Sequence, residues 1–173
     1  VMSTDRLDFD SERNLLTLGD RRVVFHCHHY NLFLQRTIED GLGKESAQSL
    51  QVAAGMEATR SMLASLYAKD PAASFFDKLV LARKLFGSLG FGQAETSSLT
   101  PNGGGVRLIT SHYAIGWKAK WGAAEHPVCY FPVGFWMAAL AAAAGLAPER
   151  LQGRERSCAA LGAAVCELEV EVL

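Results

Sequence analysis

Residues 127–147 carry no charged side chain, and this stretch limits the fold more than any other part of the chain. An uncharged segment of that length passes the simplest test for crossing a bilayer. Pro127 and Pro132 interrupt its first third, however, and most of the rest is alanine, which is only weakly apolar. The pattern predicts a helix over 132–144, closed by Gly145. At about 1.5 Å per residue such a helix spans roughly 20 Å, short of the roughly 30 Å hydrocarbon core. It is read as a core helix, apolar on every side and therefore buried in a folded domain, and no membrane span is expected.

The chain has 173 residues, 49% of them apolar and 20% charged, the composition of one folded domain of ordinary size. Lys and Arg number 17 against 18 Asp and Glu, and the only adjacent basic pairs are Arg21-Arg22 and Arg83-Lys84. Without a basic excess or stripe, nucleic acid is not an expected partner. The four cysteines, Cys27, Cys129, Cys158 and Cys166, are too few for a disulfide scaffold, and without a charged n-region leading into an apolar run no export signal is expected. The expected compartment is a reducing cytoplasm, where cysteines serve as thiols, ligands or nucleophiles.

Along the chain, residues 6–9 and 15–18 flank a polar turn and read as a β-hairpin, with residues 22–25 as a further extended piece. A helix follows with Leu34, Ile38 and Leu42 at i+4 spacing. A longer one covers about 45–68, its inner face set at Leu50, Ala54, Ala58, Met62 and Leu66. Asp70-Pro71 reads as the start of a third helix, carrying Phe75, Leu79, Ala82, Phe86 and Leu89 inward and ending at Gly90. Residues 91–105 read as a loop. Residues 106–117 read as a strand, with His112 on one face and Tyr113 and Trp117 on the other. After the alanine-rich helix, 154–160 and 163–173 form a hairpin around Gly162. Its last strand alternates, Cys166, Leu168, Val170 and Val172 inward and Glu167, Glu169 and Glu171 outward. The expected fold is α+β over residues 1–173 as one domain: an N-terminal β-hairpin and helices on an antiparallel sheet, with a C-terminal hairpin after the core helix.

That last hairpin carries chemistry. With the turn centred on Gly162, Cys158 faces Cys166, and opposed Cβ atoms lie about 4.5–5.5 Å apart. Two thiolates at that distance can clasp one zinc, whose bonds to sulfur are about 2.3 Å. Cys129 lies just before the core helix, within reach of the hairpin, and Glu155 can complete four ligands. Glu155 and Cys158 are three residues apart, so a regular strand points them to opposite faces; sharing an ion requires a bulge or a non-extended turn between them. The alternative is two buried small side chains and an exposed glutamate.

The same residues carry a resemblance. The pattern Pro127-Val128-Cys129-Tyr130-Phe131, Gly134-Phe135, an alanine-rich helix, Gly145, then Glu155-x2-Cys158-x3-Gly162-x3-Cys166 resembles the 4-vinyl reductase, or hydrocarbon-binding, domain over residues 103–173. The resemblance implies an α+β fold like that of a Bet-type vesicle-tethering subunit, often dimeric, and the role of an aromatic-sensing input domain, a stand-alone protein or a protein linked to bacteriochlorophyll synthesis. It also implies a zinc held by Cys129, Glu155, Cys158 and Cys166.

The segment His26-Cys27-His28-His29-Tyr30-Asn31 holds three of the five histidines. In extended geometry His26 and His28 share a face; if a helix has already begun, His29 lies beside Phe33. His112 is a possible partner. Hydrogen bonds at a helix start, polar contacts in a pocket, an acid–base pair and a metal centre are all open to these residues.

The leading expectation is a zinc-braced binding or sensing domain, more a binding module than an enzyme and expected as a homodimer. Its pocket for a small hydrophobic or aromatic ligand is assigned to His28, His29, Phe33, His112, Trp117 and Trp136. The rival is an enzyme or enzyme accessory acting on a tetrapyrrole or other cyclic substrate, with the His26–His29 segment as its working site.

Overall fold

The computed structural model describes residues 7–173 except 20 and 25, so Arg6 and Phe25 of the expected N-terminal strands lie outside the described residues. Strands β1 (Leu7–Asp10), β2 (Leu15–Leu18) and β3 (Arg21–Val23) form a three-stranded antiparallel sheet. The Asp10 carboxylate accepts the backbone N–H groups of Glu12 and Arg13 and shapes the first turn. Helices α1 (His28–Leu42), α2 (Lys44–Tyr67) and α3 (Phe75–Ser88) follow. Then come β4 (Gly92–Glu95), β5 (Leu99–Thr100), β6 (Gly103–Ser111), α4 (His112–Trp121), α5 (Tyr130–Ala144), β7 (Leu151–Ser157) and β8 (Cys166–Val172). The second sheet is antiparallel in the order β4-β6-β8-β7, with β5 paired to β6. The α+β architecture expected from the sequence is the one observed.

Helix α5 is the centre of the molecule. Nearly every side chain on it is buried, including Phe135, Trp136, Ala139 and Leu140. Gly145 closes it at a positive φ of 68°, and its N–H returns to the Ala141 carbonyl. No helix among the described residues is long and apolar enough to cross a membrane. Gly134 and Gly55 set the crossing of α5 on α2. A Cβ on Gly134 would come within 2.1 Å of the Val52 carbonyl oxygen, and one on Gly55 within 2.7 Å of the Phe131 carbonyl oxygen. The two backbones touch, and only glycine allows it.

Several elements differ from the sequence expectation. The buried stripe of α2 is Ala47, Gly55, Thr59, Leu63 and Tyr67; Leu50 is 52% exposed and Ala54 and Ala58 also face solvent. The glycine contact with α5 turns the helix one residue onward. In α1 the buried side chains are Leu32, Gln35 and Glu39, whereas Leu34 and Leu42 are exposed. Helix α3 starts four residues after Pro71, because Ser74 and Asp77 form a reciprocal capping box. Residues 91–105 contain β4, β5 and the start of β6 rather than a loop alone.

The expected strand over 106–117 ends at Ser111, whose hydroxyl accepts the Ala114 N–H and caps α4. His112, Tyr113 and Trp117 are therefore helical. Their alternation imitated a strand, but Tyr113, Trp117 and Trp121 also recur every four residues.

The outer face of the second sheet is a ladder of exposed ion pairs, Arg107 with Glu95 and Glu167, and Arg154 with Glu169 and Glu171. Its inner face supplies Val106, Leu108, Leu168 and Val170 to the core.

Candidate metal centre and ligand cleft

The C-terminal hairpin has the register its sequence implied next to the turn. Ser157 pairs with Glu167, and continuing that register sets Cys158 opposite Cys166 just beyond the ladder. The register shifts between Glu155 and Ser157. This is the bulge that sharing an ion requires, since the extra residue lets Glu155 and Cys158 turn toward the same side. The third segment arrives through α5, whose N-terminal flanking residue is Cys129.

One ligand atom from each of Cys129, Glu155, Cys158 and Cys166 lies within 4.8 Å of the others. The three thiols are buried, with Cys129 and Cys166 fully so. Cys129 Sγ and Cys166 Sγ are 3.6 Å apart, close to the ~3.8 Å edge of a tetrahedron of sulfurs around zinc. Of the Glu155 carboxylate, Oε2 accepts the Cys129 N–H at 2.8 Å, while Oε1 is buried without a partner among the described residues.

The electrostatics favour a cation. Burial, reinforced by the neighbouring Cys158, pushes the Glu155 carboxyl up to about 8. Burial also pushes the Cys129 thiol up, while hydrogen bonds from Cys129 and Cys166 pull Cys158 down toward a thiolate. A buried carboxylate and a thiolate side by side are costly unless protons or a metal balance them. The donor set and the unpartnered Oε1 thus fit a metal bound by three sulfurs and one oxygen.

The surroundings hold the ligands in place. The backbone N–H of Ala159 donates to Cys166 Sγ at 3.2 Å, and Ser111 Oγ lies 3.2 Å from Cys129 Sγ. The buried Gln35 amide donates to the Val128 carbonyl and to Glu39, both at 3.1 Å. His126 stands 3.6 Å from the Glu39 carboxylate.

The six side chains assigned to the ligand fall into three places. His28, His29 and His112 form one group, with ring centroids 3.8 Å apart for His28–His29 and 6.1 Å for His28–His112. His112 stands at the start of α4 rather than on a central strand. His28 and His29 are exposed first-turn residues of α1, and the histidines form no metal-binding group among the described residues. Phe33 is half exposed, edge-on to Trp121, with the Lys120 ammonium 4.2 Å from its ring centre. Trp117 is buried against Trp121 and His126, where it lines a polar cleft of about 240 Å³ with Glu39. Trp136 lies apart, enclosed by Phe86 and Phe135. Two of the six, His112 at Nε2 and Trp136 at Nε1, present buried nitrogens without a partner among the described residues.

A larger apolar cleft of about 560 Å³ lies where the N-terminal sheet meets the helices. Leu7, Leu18 and Val23 line it from the sheet, Met62 from α2, Ser88 and Leu89 from the end of α3, and Phe131 from α5, with His26, Asn31 and Phe91 completing it. Phe91 and Phe131 are 4.6 Å apart and both pack on Tyr113. Sequence reasoning missed these residues. Their one local signal is that Phe91 and Phe131 are large apolar side chains next to a helix end and a helix start.

No family model matches the chain, and no curated protein does. Among solved structures it is similar to the phenol-responsive sensory domain of the transcription activator PoxR, crystallised with phenol. That match has 20% identity and a TM-score of 0.81 over 96% of this chain and 85% of that one. It is similar to a vinyl-4-reductase family protein from Methanocaldococcus jannaschii, at 17% identity and TM-score 0.57 over 87% and 83% of the two chains. It is also similar to trafficking protein particle complex subunit 3 from Naegleria fowleri, covalently bound to palmitic acid, at 10% identity and TM-score 0.56 over 84% and 91%. The chain therefore has the fold that its C-terminal signature implied, the one common to a phenol-responsive sensory domain, a vinyl-4-reductase family protein and a trafficking complex subunit.

Proposed function

We propose that the chain acts as one small-molecule binding and sensing domain for a hydrophobic or aromatic ligand, braced by a structural zinc on Cys129, Glu155, Cys158 and Cys166. The observation that carries this reading is the position of α5. Its N-terminal flanking residue, Cys129, belongs to the metal cluster, and Phe131, two residues on, lines the apolar cleft. A zinc closed by four protein ligands leaves no open position for substrate, so its role is to hold helix and hairpin together rather than to catalyse. The cleft has the size and lining of a small-ligand site, apolar with His26, Asn31 and Ser88 as its polar groups. The phenol-responsive domain of the same fold supports an aromatic ligand. His112 Nε2 and Trp136 Nε1, buried without a partner among the described residues, stand outside that cleft's lining and are the polar groups that a ligand reaching deeper than the cleft would pair with.

The reading includes a homodimer, supported by the exposed Phe9 on the N-terminal sheet, Val24 just after it, and Tyr30 and Leu34 on α1. It also includes a reducing cytoplasm, in which four cysteines outside any disulfide persist.

The test is a titration of tryptophan fluorescence with phenol and a series of alkylphenols, on protein purified without a histidine tag and assayed for zinc. About one zinc per chain, and saturable binding weakened at least about tenfold by Leu89→Arg, is the expected result. Folded protein that contains no zinc, or that binds no member of the series, overturns the corresponding half of the reading.

A further inference from the structure

The hydroxyl of Ser111 joins the metal cluster to the aromatic floor of the cleft. Ser111 is the last residue of β6 and is only 3% exposed. Its Oγ accepts the Ala114 N–H at 3.4 Å as the cap of α4 and lies 3.2 Å from Cys129 Sγ. A serine hydroxyl has one proton and two lone pairs. The Ala114 N–H can only donate, so that contact uses a lone pair and leaves the proton free for sulfur. When Cys129 is a metal-bound thiolate it has no proton of its own, and the direction is set: Ser111 O–H donates to Cys129 Sγ.

Directly after Ser111 the backbone N–H of His112 bonds to the Phe91 carbonyl at 2.9 Å. The next side chain, Tyr113, stacks on Phe91 and Phe131 at 6.4 Å each. One hydroxyl thus touches a metal ligand and caps the helix whose first turn supports the cleft floor.

We infer that Ser111 is a positioning residue of the metal centre, its hydroxyl orienting the Cys129 thiolate and fixing the start of α4 relative to the metal. The inference rests on the metal-brace reading above. An outer hydrogen bond of this kind is worth about 10–100-fold in metal affinity. It also withdraws charge from the sulfur, which the sulfur-to-metal charge-transfer band of a cobalt(II)-loaded protein reports.

The experiment measures zinc affinity by chelator competition, and the cobalt(II) charge-transfer band, in the unsubstituted protein, Ser111→Ala, Ser111→Thr and Ser74→Ala. Ser74→Ala removes the cap of α3 and supplies a comparable loss of helix capping away from the metal. The expected result is about 10–100-fold weaker zinc binding and a charge-transfer band at lower energy for Ser111→Ala. Ser111→Thr restores both, and Ser74→Ala changes neither. If Ser111→Ala does not fold, Ser111→Val, which matches threonine in shape and carries no donor, is read the same way. Unchanged zinc affinity and an unchanged band in the donor-deficient variant would show that Ser111 is a helix cap and nothing more. An unsubstituted protein that takes up neither zinc nor cobalt overturns the brace itself, and this inference with it.

Discussion

Two regions of the chain concentrate side chains that bind metals, and the fold treats them differently. At the C-terminal hairpin three thiols and a carboxylate from three segments converge within 4.8 Å, buried, with Glu155 Oε1 lacking a partner among the described residues. Around residues 26–29 the histidines sit on the surface: His26 stacks on Tyr30, and His28 lies tilted against His29 and edge-on to the His112 ring, without forming a metal-binding group among the described residues. Neighbouring residues at a helix start diverge by about 100° each, so proximity in sequence works against a shared ligand. Opposed residues of a hairpin point the same way, and a single bulge brings in a third side chain. Spacing across a turn is a better guide to converging donor side chains than a run of them in a row.

The sharpest way to break this contrast is Cys158→Ser, which should abolish zinc uptake in elemental analysis. With free zinc about 1,000-fold above its dissociation constant, losing the ion costs about 4 kcal/mol of stability, readable as a shift in the denaturation midpoint. A variant that keeps its zinc and its midpoint would remove the brace from the picture.

Gly134→Ala attacks the same cluster without touching a ligand, by forcing α5 and Cys129 away from α2. A loss of about 1–3 kcal/mol by chemical denaturation, together with weaker zinc retention, is expected.

The histidine region should respond to pH instead of metal. Burial, together with the nearby His28, lowers the His112 pKa below its ordinary value. The unfolded chain then binds the proton more readily than the fold does. Stability is full above about pH 6.5 and declines as the pH falls below it, until His112 is protonated in the fold as well. His112→Asn should flatten that part of the pH–stability curve. A curve that keeps its slope in this variant assigns the dependence to other groups.

The smallest effect belongs to the paired replacement of His28 and His29 by Asn. It should leave zinc content unchanged and shift stability by no more than about 0.5 kcal/mol. Loss of a metal from this variant would overturn the contrast between the two regions.

Legibility in the sequence followed local contrast. The alternation of Cys166, Leu168, Val170 and Val172 with three glutamates left one orientation for β8, and the uncharged run could only be a buried helix. In α2, Ala53, Ala54, Gly55 and Ala58 differ too little in hydropathy to choose a face. The expected stripe through Leu50 and Ala54 therefore lost to the one that lets Gly55 meet α5. Residues 109–117 fitted both periods, and the cap on Ser111 decided for a helix. The six side chains assigned to the ligand were chosen for their chemistry alone, and they stand in three separate places.

By itself the sequence determined the elements whose causes lie within a few residues. These are the hairpin around Gly162, the helix stop at Gly145, the outward glutamates of β8, and the four side chains suited to a soft cation. Tertiary structure alone decided which faces of α1 and α2 are buried, where the apolar cleft opens, and that Ser111 meets Cys129. Each of these depends on surfaces brought together from distant parts of the chain. Their energy comes from close packing and shared burial, which no local pattern of residues encodes.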